Sequence, residues 1–183
     1  MEMARLVKEN NVINSVALVY RFMPALTLLK RELEKETIGQ IIDFKVRTYH
    51  DSYLNEKKKD TWRTGKNSGG GALLDLGVHL IDMIQFTMGE IEKVESRTRI
   101  YFVERAQVDE IANCDFTLKD GVRGSLEVSR IFTERDQTDD YVVYGTKGSI
   151  KINFNNPYEI EIYKYESNST EIKDVAPGDS LLK

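Results

Sequence analysis

Asp75, His79 and Asp82 stand at i, i+4 and i+7 within ALLDLGVHLIDMIQFTM, the apolar run from Ala72 to Met88. Residues four apart are neighbours on a helix surface, so a carboxylate at 75 and an imidazole at 79 can form a proton-handling pair. The acid favours the protonated ring and orients it. The same spacing also describes a solvated surface pair, or a core histidine satisfied locally. A third reading makes His79, Asp82 and His50 metal ligands, although nothing in the sequence brings His50 to the other two. Other chemistry is excluded by pattern. Gly65-Lys66 is followed by Asn67, where a phosphate-binding loop needs Ser or Thr, and no G-x-G-x-x-G lies between a strand and a helix to hold a dinucleotide. Asn168-Ser169-Thr170 fits a glycosylation sequon, and without a secretory signal it reads as chance.

The element that positions these groups is a helix. Projected at about 100° per residue, Leu73, Gly77, Leu80 and Ile84 make one stripe and Asp75, His79, Asp82 and Phe86 the opposite one. Leu74, Leu76, Ile81 and Met83 flank them, so the helix is apolar almost all round and is expected to be largely buried, its polar residues facing a cleft or internal partners. Gly69, Gly70 and Gly71 lead into it and Gly89 closes it.

Before this helix, Met3, Leu6 and Val7 have helical spacing, and alternation from Ile13 to Tyr20 predicts a strand. Pro24 then opens a helix running to about Glu36, with Gly39 as its cap. IIDFKVRTYH (41–50) reads as a strand and residues 51–68 as a long loop, a length more often functional than idle. After Glu92 everything reads as strands, in 93–102, 111–120, 122–132, 140–154 and 159–166, with turns at Asp120-Gly121, Gly145 to Gly148 and Asn155-Asn156-Pro157. Helices early and hairpin-linked strands late predict an α+β fold, an open and largely antiparallel sheet with helices packed on one face. The polar stretch 168–183, with Pro177-Gly178, reads as a tail free to fray.

Composition limits the partners. The 183 residues suit one domain, and 26 basic against 30 acidic groups give a formal charge of -4, no basis for binding nucleic acid. Charges interrupt every apolar stretch short of a membrane span, and the opening MEMARLVKENN has acids where a secretory signal needs an apolar core. One cysteine, Cys114, and two histidines, His50 and His79, make neither an internal disulfide nor a conventional structural zinc site, which fits a reducing cytoplasm.

Taken in order, YRFMP (20–24), TIGQI (37–41), Trp62-Arg63 and GGGALLDLGVHLIDM (69–83) resemble the carboxy-terminal domain of the Gfo/Idh/MocA family of NAD(P)-dependent sugar and polyol oxidoreductases. VDEIANCDFTLKDGVRGSLEVSR and VVYGTKGSI resemble its later strands. The resemblance implies a dihydrodipicolinate-reductase-like C-terminal domain, with the amino-terminal Rossmann domain and its catalytic E-K-P lysine absent from this sequence. It makes the chain look like part of a longer protein. It further implies that NAD or NADP binds the full-length enzyme and neither binds this chain alone. By the same resemblance His79 takes the substrate hydroxyl proton and Asp75 orients His79 and the substrate. Tyr20 and Arg21, at the end of a strand, and Trp62, Arg63 and Asp82 are then substrate-side contacts. The expected partners are the Rossmann domain, a sugar or polyol, and further copies of the chain through the open sheet face. The competing expectation is a non-catalytic self-association or ligand-binding module that has lost its cofactor domain.

Overall fold

The computed structural model describes residues 2–58, 61–136 and 138–175. Strand β1 (Ile41–Tyr49) buries Phe44, Val46 and Thr48 on one face and turns Lys45 and Arg47 to the other, as period-two alternation requires. Beside it, β4 (Arg123–Ser129) runs parallel and β5 (Asp139–Gly145) antiparallel. Hairpins extend the sheet through β3 (Ile111–Leu118) to β2 (Ile91–Arg99) on one side. They extend it through β6 (Gly148–Asn153) and β7 (Glu159–Lys164) to β8 (Ser169–Asp174) on the other. Among the described residues the order is β2-β3-β4-β1-β5-β6-β7-β8, seven pairings of which only β1/β4 is parallel. That pair arises because the chain leaves β1, runs out to the β2 edge through loop and helix, and returns by the β2–β3 hairpin.

Helix α1 (Glu2–Glu9) opens the chain, and helices α2 (Pro24–Glu34) and α3 (Val78–Met88) cover one face of the sheet, as expected for an α+β domain with its helices on one side. Leu26 and Leu29 of α2, with Leu80, Met83 and Ile84 of α3, pack over Phe44, Phe116, Leu126, Tyr141, Val143, Ile150 and Ile162. All of these side chains are 4% exposed or less. Burying each contributes about 1.5–3 kcal/mol, so this layer decides which face of every strand is inside.

Several sequence expectations require correction. The alternation from Ile13 to Tyr20 forms no strand. The segment up to Leu18 is irregular and Val19–Phe22 is a 3-10 turn, with Ile13 100% and Val16 77% exposed. The sheet edges are β2 and β8, so among the described residues the alternating face has no strand to pair with. Gly39 does not cap α2 either. The helix stops at Glu34 in a Schellman arrangement: Glu36 takes the left-handed conformation (φ 54°) and donates to the Leu33 carbonyl, and Thr37 donates to the Glu32 carbonyl. Nor is the 168–183 stretch uniformly loose, since its residues 169–174 form β8 and pair with β7. Residues 176–183, including Pro177-Gly178, and Lys59 and Asp60 of the loop lie outside the described residues.

The helical run Lys66–Met88 is long and apolar enough, by composition alone, to cross a membrane. Its Leu80, Met83 and Ile84 are spent on the sheet and its Asp75 and Asp82 on arginines, which is how a core helix uses such residues. It is not buried all round, however: Leu74 and Val78 are 60% and 42% exposed on its outer face.

The end of α2 carries a buried charge. Glu32 is 2% exposed and accepts hydrogen bonds from Thr37 Oγ1 (2.7 Å), Lys35 Nζ (3.0 Å) and Lys173 Nζ of β8 (3.2 Å). Burial alone raises its pKa, but these three donors outweigh it and hold the carboxyl below its ordinary 4.5. A depressed folded-state pKa stabilises above the unfolded value and is lost as pH falls through the folded one. Glu32→Gln should therefore cost about 1–3 kcal/mol at pH 7 and progressively less below about pH 4.5. Urea unfolding of both proteins at pH 7 and pH 3 checks this, and an equal gap at both pH values contradicts it.

Candidate active site

The lead into α3 is built by glycine. A Cβ on Gly70 would lie 2.2 Å from the Arg63 carbonyl oxygen, so only glycine lets the Trp62–Thr64 turn press against this backbone. Gly71 has φ 116° and stands where a Cβ would meet Asp109 at 2.5 Å. Asp109 caps the turn that begins at Ala72: its carbonyl accepts from Ala72 N–H and its Oδ2 from Leu73 N–H, both at 2.8 Å.

The first turns are not α-helical. Leu73–Gly77 is a π-helix, in which Val78 N–H reaches back to the Leu73 carbonyl, and the α-helix proper begins at Val78. Such wide turns often occur at functional sites. Here the wide turn takes Asp75 off the line that an α-helix would draw to His79. Instead Asp75 meets two arginines: Arg130, just past β4, hydrogen-bonds its Oδ2, and Arg63 Nε from the long loop lies 3.3 Å from the same oxygen. Side-chain exposure is 11% for Asp75, 9% for Arg130 and 46% for Arg63. The expectation that Asp75 orients His79 is thus corrected, since the carboxylate is occupied by guanidinium groups.

His79 makes no hydrogen bond within the described residues. Its Nδ1 is buried without a partner, which leaves Nε2 as the ring nitrogen open to a ligand. Its neighbour is the Tyr20 ring, edge-on at 5.7 Å, which in turn packs on Phe154 at 5.6 Å. Burial first, and then the charge of Asp139, push the Tyr20 phenol above its ordinary 10.0 against the opposing pull of Arg130. Tyr20 therefore remains a neutral hydrogen-bond donor at physiological pH.

Of the other sequence-predicted residues, Arg21 and Asp82 are brought together rather than aimed outward. Arg21 Nε and Nη2 fork onto the Asp82 carboxylate at 2.7 and 2.6 Å, tying the 19–22 turn to α3. Tyr20 and Arg21 sit on that 3-10 turn, not on a strand end. Trp62 is 52% exposed with the Arg63 guanidinium 4.3 Å over its ring. The metal alternative has no ligand set: no three suitable side chains converge among the described residues, Asp82 is held by Arg21, and His50 Nε2 faces Asp139 at 3.7 Å.

Arg130, Asp109, Asp139 and Tyr53 belong to this neighbourhood and were not singled out by sequence. Tyr53 donates to the Arg63 carbonyl at 2.9 Å, with its hydroxyl pushed up to about 12 mainly by burial. A lone arginine ending the hydrophobic alternation of β4 was the one available signal for Arg130.

With this geometry in place, comparison with known proteins is informative. The GFO/IDH/MocA C-terminal domain matches residues 26–151. The chain belongs to the Gfo/Idh/MocA family. Levoglucosan dehydrogenase of Pseudarthrobacter phenanthrenivorans is 27% identical over 85% of the chain and 46% of its own length. Glucose-6-phosphate 3-dehydrogenase of Bacillus subtilis is 29% identical over 92% and 49%. A solved levoglucosan dehydrogenase holding NADH and levoglucosan superposes with a TM-score of 0.85 at 25% identity, over 98% of this chain and 51% of that one. The chain thus spans about half the length of the curated relatives it matches. The one parallel strand pair among the described residues is joined through the β2–β3 hairpin, with no glycine turn and helix at a strand end to receive phosphates.

Removing Asp75 leaves Arg130 buried and unpaired, and breaking such a pair costs about 3–5 kcal/mol. Asp75→Ala should lose about that much stability, and Asp75→Ala with Arg130→Met should recover part of it, since the stranded charge is gone. Chemical denaturation of the four members of this double-mutant cycle tests the pairing; strictly additive losses contradict it.

Proposed function

We propose that this chain is the substrate-binding half of an NAD(P)-dependent sugar or polyol oxidoreductase, with His79 as proton acceptor. The observation that carries the reading is an imidazole set in a dehydrogenase-family helix with one nitrogen buried and unpartnered and the other open. Two dehydrogenases that match most of this chain are named for levoglucosan and glucose 6-phosphate, which supports a sugar or polyol carbinol as substrate. The redox chemistry belongs to a nicotinamide held by a separate domain.

This chain's residues bind, orient and take a proton. Nε2 of His79 accepts the hydroxyl proton, and the neutral phenol of Tyr20 is placed to donate to a neighbouring substrate oxygen. Asp75 acts as a positioning residue through Arg63 and Arg130 rather than through the imidazole, and Arg21 with Asp82 holds Tyr20's turn against α3. Trp62, half-exposed beside Arg63, offers an apolar ring for a sugar face.

Positioned general-base catalysis is worth about 100- to 10,000-fold. In this chain fused to a nicotinamide-binding domain, His79→Ala should lower turnover by about 100-fold or more while leaving dinucleotide affinity unchanged. Steady-state kinetics and a cofactor titration decide it: unchanged turnover removes His79 from the mechanism.

A second part of the reading concerns the uncovered sheet face. There Ile42 is 60% and Tyr144 38% exposed, lining with Tyr163 and Tyr165 a shallow groove of about 450 Å³. We propose that copies of the chain associate through this face. Sedimentation at micromolar concentration should show a dimer or larger species that Ile42→Glu with Tyr144→Glu dissociates. A monomeric parent protein overturns it.

A further inference from the structure

The arginine side of the site sets two guanidinium groups on one carboxylate oxygen. A pocket of about 400 Å³ is lined by His50, Ser52, Tyr53, Thr61, Arg63 and Arg130. Both guanidinium groups lean on the same oxygen of Asp75, and among the described residues neither has a second carboxylate within ion-pair distance. Asp109 and Asp139 act on the neighbouring Tyr53 and Tyr20 without pairing with either arginine.

The pair also carries a deficit of hydrogen bonds. Arg130 is 8% exposed, yet its Nε is buried with no acceptor. A buried donor left unsatisfied is costly, the more so on a charged group, and structures seldom keep one without a purpose. The Tyr53 ring, 5.4 Å from the Arg130 guanidinium, shields it from water, which strengthens its attraction for an anion. Arg130 Nη1 lies 3.4 Å from the Ser52 hydroxyl, a further polar group on the pocket wall. Arg63, nearly half exposed, leaves guanidinium edge free for an incoming group. A planar fork of N–H donors matches the paired oxygens of a carboxylate or phosphate better than the single oxygen of a hydroxyl.

We propose that this pocket is an anion subsite and that the substrate is a sugar bearing a carboxylate or phosphate group. The inference rests on the substrate-half reading above and deepens it. The carbinol end lies toward His79 and Tyr20, and the charged end enters between Arg63 and Arg130. Tyr20 joins the two ends, being in ring contact with His79 and within the electrostatic reach of Arg130. Asp139, whose charge also acts on Tyr20, is faced by His50.

The test is a binding titration of this chain, followed by nuclear magnetic resonance, with glucose 6-phosphate, glucuronate, inorganic phosphate and neutral glucose. At least one anionic sugar should bind about 10- to 100-fold tighter than glucose, the span expected of hydrogen bonds to a charged group. The shifted resonances should be those of residues 50–53, 61–64 and 130. The order of glucose 6-phosphate and glucuronate tells phosphate from carboxylate. Arg63→Gln, at an exposed position, should erase the preference by bringing the affinity for the anionic sugar down to that for glucose measured on the same variant. Arg130→Lys, which keeps the charge beside Asp75 but lacks the fork, should weaken it. His79→Ala should leave the preference intact, so failure of the oxidoreductase reading shows in turnover and failure of this one in binding. Equal affinity for charged and neutral sugars, no binding by any of them, or a preference that survives Arg63→Gln overturns the subsite.

Discussion

One half-buried carboxylate holds together three segments that otherwise have little reason to meet. Asp75 stands in the wide turn before α3, Arg63 comes from the long loop and Arg130 from the end of β4, and all three converge on a single oxygen. Removing an ion pair from water is expensive and is repaid only when the geometry and the remaining hydrogen bonds are right. Local devices supply that geometry. The π turn displaces Asp75 from the α-helical line, Gly70 lets the arginine loop come against the helix lead, and Asp109 fixes the helix start from the segment before β3. Each device costs something alone, through glycine entropy or a broken helical period. Together they place one arginine at the mouth of a pocket and another in its wall.

That arrangement determines what is left for His79. With the nearest helix carboxylate committed to guanidinium groups, the imidazole is held by packing against Tyr20 rather than by a hydrogen bond, and its open nitrogen awaits an acceptor or donor from outside. Catalytic hydrogen bonds often form only when substrate arrives, and His79 Nδ1 and Arg130 Nε are the two buried side-chain nitrogens left without a partner among the described residues. The division is chemical as well as spatial. A neutral phenol and an imidazole suit proton transfer at a carbinol, while two guanidiniums suit charge.

Legibility from sequence followed the range of the interactions. Helix α2 with Pro24 at its start, α3 up to Gly89, and the β2 to β7 hairpins were readable because period, caps and turn residues are local. The Ile13–Tyr20 strand failed because alternation states only that a strand could form; whether an edge is free to receive it is a tertiary fact. The parallel pairing of β1 with β4 was unreadable for the same reason. Asp75 and His79 were found by type and spacing, but their supposed pairing assumed an α-helical period that the π turn breaks. Arg130 lies 55 residues from Asp75, so no local pattern could join them, and Arg21 with Asp82, 61 apart, look like two independent cleft residues until the fold brings them face to face.

The unburied apolar surface fits the same division. Ile13, Val16, Val19 and Phe22 are 58–100% exposed on the segment that ends at Tyr20, and Leu74 and Val78 are exposed on the helix that carries His79. Scattered exposed apolar residues need no explanation, but these belong to two segments that touch, and both adjoin the proposed proton acceptor. The sheet's bare face, by contrast, is mostly polar, with Arg47 forked onto Asp140 and Tyr49 hydrogen-bonded to Glu127. Beyond the Ile42 and Tyr144 groove on the sheet, a second surface with driving force for being covered therefore lies beside His79. In the proposed reading that is where a nicotinamide-bearing domain has to sit, since hydride and proton leave one and the same carbinol. The strand-like alternation of residues 13–19, without a strand partner among the described residues, lies on that same exposed apolar segment.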